Sequence, residues 1–301
     1  MKKNLTIGLS TGEDPVMLCG GRDGFHRGCT DPPDGQYDVL ASHNNWSPYV
    51  DKVLPIASKV TVIRHPLNQV VSHFHYFFHQ WHRMGVKERT VEQFERALLK
   101  IRGNKIFPES QGESMKNFIS QNTFDLGLSR IQPPKSTIEE AADWATDYYD
   151  LILLTERFEE SIILLKDMWN LELEDVVALK AKDNAAAKTF GVADLPKNLT
   201  DFILEKNHLD LVLYEAANAE LDRKIELFGK EKMEAEVEAL KNAKKEAEER
   251  CGKPDLGSTQ SKAPSVDHRR ELTVDDELCQ LLRFNGLEFT EYLKAKRKQN
   301  N

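Results

Sequence analysis

Arg64 follows the apolar run Val60-Thr61-Val62-Ile63, and Pro66 stands two residues further on. A short run of branched residues reads as a buried strand. Proline suits the first turn of a helix, because its missing N–H has no helical partner there. Arg64 is therefore expected at the carboxyl end of a strand, beside a helix start. Ligands of open α/β sheets bind at such strand ends. The helix start adds free N–H groups and a partial positive charge. Ser72 falls on the polar stripe of the same helix, one to two turns in. A guanidinium, free amides and a hydroxyl together suit a phosphate. The plainer alternative pairs Arg64 with a surface carboxylate and leaves Ser72 solvated.

The helix itself is predicted from spacing. Leu67, Val70, Val71, Phe74, Phe77, Phe78 and Trp81 recur as one apolar face, and Asn68, Ser72, His75, His79 and His82 form the opposite stripe. Three histidines on one helical face raise the question of a metal. A zinc site would need His-Glu-x-x-His or an outside carboxylate at matching spacing, and the stripe holds no Glu. The expectation is a solvated or phosphate-facing stripe, with no metal. Glu156 follows another strand run, Leu151-Ile152-Leu153-Leu154. It reads either as a helix-start carboxylate or as a group facing a sugar or the basic residues.

Charge is distributed unevenly over the 301 residues, whose net charge is −8. Residues 59–105 hold nine Lys and Arg against three Glu, together with five of the nine histidines. A basic island in an acidic chain fits a locally held anion, or a solvated helix face. The acidic balance argues against a general nucleic-acid binder. No run approaches the roughly 18–20 apolar residues of a membrane helix. The four cysteines contain no Cys-x-x-Cys pair. They read as unrelated thiols, or as one or two disulfides in an oxidising compartment. The sequons at Asn4, Asn45 and Asn198 would fit that compartment.

These groups need a scaffold. The runs at 5–9, 38–41, 60–63 and 151–154 are largely unalternating, as parallel central strands are. Helical patterns lie between and after them, so the fold class is α/β, with a central parallel sheet flanked by helices. Residues 10–36, 103–113 and 129–136 read as loops. Residues 217–249 read as one long charged helix, 252–269 as a flexible linker and 274–298 as a closing helix. The expected division is an α/β domain over 1–216 and a helical part over 217–301.

Ile63-Arg64-x-Pro66-x5-Ser72-x-Phe74-x-Tyr76 resembles the 3′-phosphate-binding segment of Golgi carbohydrate sulfotransferases, closest to the galactose-3-O-sulfotransferases. Phe124-Asp125-Leu126-Gly127 is similar to the family's F-D-L-G element. The stretch from Tyr149 to Ser161 resembles its strand-to-helix segment ending in E-x-F-[DE]-E-S. Leu173-Glu174-Asp175-Val176-Val177 resembles its L-x-D-V stretch, and the region from Cys279 to Leu293 is also similar. The likeness covers most of residues 38–230.

The resemblance implies a P-loop-type sulfotransferase fold with 3′-phosphoadenosine 5′-phosphosulfate as donor. Arg64 and Ser72 would hold its 3′-phosphate. The acceptor would be the 3-hydroxyl of a terminal galactose on a glycan or a glycolipid such as galactosylceramide. Family enzymes are type II membrane proteins facing the Golgi lumen. Sulfo transfer needs a base for the sugar hydroxyl and cations against charge on the bridging oxygen. The family takes both from an upstream Lys-Thr-His-Lys loop, which the 301 residues do not contain. The expectation is that the chain starts after that loop and the membrane anchor, and that alone it turns over little. His43 is the remaining candidate base. It stands where the family has H-x-R-[FY]-N, here His43-Asn44-Asn45-Trp46-Ser47 with Asn45 in place of Arg. The alternative is a plain loop histidine.

Overall fold

The computed structural model describes residues 7–8, 39–40, 56–83, 85–102, 122–123, 126, 138–178, 189–251, 279 and 281–282. His43, most of the expected loops and the 252–269 linker lie outside them. The described part is mostly helical with a small parallel sheet component, compatible with an α/β fold. The chain forms two compact units. One holds Met1–Ala57, Met168–Lys182 and Glu234–Asn301; the other holds Ser58–Asp167 and Asp183–Met233.

In the first unit, β1 (Ile7–Gly8) pairs in parallel with β2 (Val39–Leu40). In the second, β3 (Val60–Ile63) pairs in parallel with β4 (Leu151–Leu154), residue 60 opposite 151 and 63 opposite 154. All four residues of β4 are buried, which explains its unbroken apolar sequence. The Asp150 carboxylate accepts from the Lys59 amide at 2.7 Å and fixes the register from the amino end.

Three helices follow β3: α1 (Pro66–Tyr76), α2 (Phe78–Arg83) and α3 (Val91–Arg102). Next, α4 (Ile138–Tyr148) leads into β4, and a 3-10 turn at Thr155–Arg157 leads out of it to α5 (Phe158–Met168). The remainder is α6 (Leu173–Val176), α7 (Lys197–Lys206), α8 (His208–Phe228) and α9 (Lys230–Cys251). Helix α8 packs along α4 and β4, and α7 packs on α1.

The predicted apolar face of residues 67–81 lines one buried cluster of the second unit. Phe74, Trp81 and Phe94 are fully buried, joined by Val70, Val71, Leu98, Leu199 and Ile203. The Phe74 ring meets Trp81 at 5.1 Å and Phe94 at 4.8 Å. The face is not carried by one helix, however. Phe77, at ψ 30°, ends α1, and α2 starts at the next residue. Nothing in the sequence marks this break, since neither Pro nor Gly stands there.

The single charged helix expected over 217–249 is two helices. Gly229 parts α8 from α9 at φ +98°, a left-handed conformation that glycine adopts without a Cβ penalty. Residue 216, the expected division of the chain, lies within α8. At its far end α9 carries Cys251 in a disulfide with Cys279. In the first unit, Ala247 and Cys251 pack against Val177, Cys279 and Leu282.

Candidate functional site

Parallel pairing in register brings the carboxyl ends of β3 and β4 side by side. Arg64 leaves one strand where Thr155 and Glu156 leave the other, so two chain segments about ninety residues apart share one edge. Helix α1 starts at the same edge. Its cap is His65, whose ring Nδ1 accepts from the Leu67 N–H at 3.3 Å. The backbone N–H can only donate, so Nδ1 carries no proton and the imidazole is neutral in this arrangement. Burial pushes the His65 pKa down, against the opposing pull of Glu156 and Glu215.

The helix start was expected to offer free N–H groups, and the structure modifies that. The Leu67 amide is taken by the His65 ring, and the His65 amide donates to the Glu156 carboxylate at 3.2 Å and 3.3 Å. Glu156 also accepts from Asn68 Nδ2 at 2.8 Å and from the Thr155 hydroxyl at 3.0 Å. Burial, joined by the Glu156 charge and the hydrogen bond that Tyr214 donates to it, holds the Tyr214 phenol above its usual range. Tyr214 in turn meets the His65 ring edge-on at 5.1 Å. The chain's own carboxylate thus sits where an anion at this helix start would sit. Both readings of Glu156 meet here: it is a helix-start carboxylate, and it faces Arg64.

Arg64 is half-buried. Its Nε stands 3.9 Å from Glu156 Oε1, outside hydrogen-bond reach. That Nε is shielded from solvent and has no hydrogen-bond partner among the described residues. A shielded, unpaired guanidinium donor is costly unless a ligand completes it. The donor set therefore fits an anionic group such as a phosphate. Ser72 is half-buried on α1, one turn beyond Asn68 on the same helix face.

Arg157, the next cation after Glu156, does not take part. It donates to Glu160 at 2.6 Å, to Asn218 at 3.1 Å and to Asp222 at 2.5 Å, and these carboxylates keep it firmly protonated. Ser161, in the same motif, is fully buried and accepts from the Leu154 amide at 3.0 Å. Its place is to close the end of β4.

The histidine stripe is only partly solvated. His79 and His82 are exposed, but His75 is buried, with Nε2 3.0 Å from the Phe190 carbonyl. The His82 Nδ1 lies 2.9 Å from the Val86 carbonyl. Phe190 comes from 115 residues away, a partner that helical spacing could not announce. Among the described residues, no group of three His, Cys, Asp or Glu could hold a metal ion.

Asn122 and Asp210 went unnoticed in the sequence, although both are buried at this edge. Asn122 grips the Arg64 backbone, and Asp210 grips Asn122. Neither has a periodic or motif signal. Asn122-Thr123 immediately precedes the F-D-L-G element, and that adjacency was the available clue.

A family model described as galactose-3-O-sulfotransferase matches residues 15–266. The galactosylceramide sulfotransferase of Bos taurus is 29% identical over 228 residues, 73% of this chain and 51% of the relative. The galactose-3-O-sulfotransferase 3 of Homo sapiens is 27% identical over 263 residues, 83% of this chain and 57% of the relative. The human galactose-3-O-sulfotransferase 4 is 31% identical over 135 residues, 42% of this chain and 26% of the relative. The chain thus spans about half the length of the first two. No solved structure matches it.

Proposed function

The chain belongs to the galactose-3-O-sulfotransferase family, and from that premise we propose that it binds 3′-phosphoadenosine 5′-phosphosulfate for sulfo transfer to the 3-hydroxyl of a terminal galactose. Arg64 and Ser72 hold the 3′-phosphate. The fold is the P-loop-type α/β sulfotransferase fold, with 1–216 as its α/β part and 217–301 as its helical part. The acceptor is a galactose-terminated glycolipid, galactosylceramide among them, or a glycan. The donor supplies an activated sulfo group; the residues described here bind and orient it. His43 is the candidate base for the sugar hydroxyl.

The observation that carries this reading is Arg64. It stands at the carboxyl end of a parallel strand, beside a helix start, with its Nε shielded and unpaired. The family match supports reading that anion as the donor's 3′-phosphate. The Cys251–Cys279 disulfide fits an oxidising compartment, in keeping with a Golgi lumenal location. Among the described residues no helix is long and apolar enough to cross a membrane.

Calorimetry with 3′-phosphoadenosine 5′-phosphate tests the binding step. Loss of a charge-assisted hydrogen bond costs about 1.5–3 kcal/mol, so Arg64→Ala is expected to weaken affinity by about tenfold or more. Equal affinity for the two proteins removes the assignment. Radiolabelled sulfate transfer to galactosylceramide or lactose tests the chemistry. The sequence holds no Lys-Thr-His-Lys loop, so the 301 residues alone are expected to bind the nucleotide with little or no turnover. That result would describe a binding protein that keeps the 3′-phosphate half-site. Robust turnover would place the base and the 5′-side cations among the residues present, His43 first.

A further inference from the structure

The register of β3 and β4 ends at Ile63 opposite Leu154. Arg64 is the first residue beyond the ladder, so no strand partner fixes its peptide groups. Asn122 does so instead. Its Nδ2 donates to the Arg64 carbonyl at 2.7 Å, and its Oδ1 accepts from the Arg64 amide at 3.4 Å. One side-chain amide thus meets both polar groups of a single residue, as a neighbouring strand would. The contact reaches across 58 residues of chain.

Asn122 is itself held from below. Its backbone N–H donates to Asp210 Oδ2 at 3.0 Å. The Thr123 N–H donates to Asp210 Oδ1 at 2.8 Å, and the Thr123 hydroxyl donates to the same oxygen. Asp210 lies in the first turn of α8 and is 1% exposed. A carboxylate so buried is tolerated only when its oxygens are satisfied, and three donors do that here. An asparagine at 210 could not replace it, because its amide would turn N–H groups towards one of the two backbone donors. Asn122 is likewise 6% exposed. The chain therefore keeps two buried polar side chains in series behind one strand-end arginine.

We propose that Asn122, oriented by Asp210, is a positioning residue that fixes the Arg64 backbone and so aims its guanidinium at the 3′-phosphate of the donor. The proposal rests on the phosphate reading of Arg64. Its chemistry is geometric. Arg64 forms its bond to the phosphate at the end of a flexible side chain, and small misplacements of its root are costly to such contacts.

A role in aiming Arg64 differs from a role in stability by which ligand it affects. The test is calorimetry on the full 301-residue chain with 3′-phosphoadenosine 5′-phosphate and, beside it, adenosine 5′-phosphate, which lacks the 3′-phosphate. Wild type is expected to prefer the first nucleotide. Asn122→Ala is expected to cut that preference by about fivefold to tenfold, the loss of one well-placed hydrogen bond, with adenosine 5′-phosphate affinity unchanged within about twofold. Adding Asn122→Ala to Arg64→Ala should cost nothing further, since the aimed group is gone. Asp210→Asn should move the preference in the same direction. Should Asn122→Ala not fold, Asn122→Asp keeps the acceptor for the Arg64 amide, loses the donor to its carbonyl, and is read the same way. Equal weakening of both nucleotides, no change in the preference, or an additive double variant overturns the proposal. If wild type shows no preference, the phosphate reading of Arg64 falls and takes the proposal with it.

Discussion

Glu156 and Arg64 form the centre of the site, yet their charges meet only at 3.9 Å. Glu156 spends its oxygens on the His65 amide, Asn68 and Thr155 instead. A phosphate brought to Arg64 arrives beside this carboxylate. The two like charges repel, by an amount that the half-exposed setting keeps modest. Glu156→Gln keeps the acceptor oxygen used by His65 and Asn68 and removes the charge. It is expected to tighten 3′-phosphoadenosine 5′-phosphate by about threefold to tenfold, measured by calorimetry at constant ionic strength. Weaker binding would show that Glu156 organises the anion seat rather than competing for it. At this scale the strand-end placement of Arg64 and Glu156 was legible in the sequence, and the residues that hold them in place were not. Arg64 and Glu156 stand next to strand runs, where a position has meaning. Asn122 and Asp210 act through contacts that span 58 and 88 residues of chain, and Tyr214 meets His65 from farther still; no local pattern encodes these.

The elements were readable in proportion to how much one local pattern determined them. The runs 60–63 and 151–154 match β3 and β4 residue for residue; β4 is buried throughout and so unbroken in its apolar sequence, while β3, with Val62 exposed, is marked by its branched residues. For the runs at 5–9 and 38–41, the described strands are Ile7–Gly8 and Val39–Leu40. The helix after Arg64 began at Pro66 as predicted, and its apolar spacing correctly announced the core of Phe74 and Trp81. That spacing continued through Phe77 and so concealed the break there. The break between α8 and α9 had a visible marker in Gly229, outweighed by the charged helical pattern on both sides. The glycine is a backbone requirement rather than a packing one. A Cβ there would meet its nearest neighbour, Lys232 Cβ, at an ordinary 3.8 Å, while φ is +98°. Gly229→Ala is therefore expected to destabilise the chain by about 1–2 kcal/mol through backbone strain alone. Urea unfolding measures it, as a lower midpoint with an unchanged slope. A neutral result would mean that α8 and α9 can join into one helix without loss.

At the scale of the whole molecule, the site and the disulfide belong to different units. Arg64, Ser72, Asn122, Glu156 and Asp210 all lie within Ser58–Asp167 and Asp183–Met233. Cys251 and Cys279 lie within Glu234–Asn301, where Ala247 and Leu282 pack beside them. The four cysteines read first as unrelated thiols, with one or two disulfides as the alternative; the structure pairs Cys251 with Cys279 at the end of α9. The bridge closes a loop with a sequence separation of 28, for which the chain-entropy account gives about 3–4 kcal/mol of stabilisation. Its effect should fall on the unit that contains it. Cys251→Ser with Cys279→Ser is expected to lower the first thermal transition and to expose residues 234–301 to protease. The affinity for 3′-phosphoadenosine 5′-phosphate at 25 °C should stay within about twofold, since the residues proposed to recognise the 3′-phosphate all lie in the second unit. Calorimetry and limited proteolysis on the same preparation separate the two effects. A loss of nucleotide affinity in step with the loss of the bridge would mean that the second unit cannot hold its strand-end geometry by itself. The buried series from Asp210 through Asn122 to Arg64 argues against that, because each of its bonds is made within that unit.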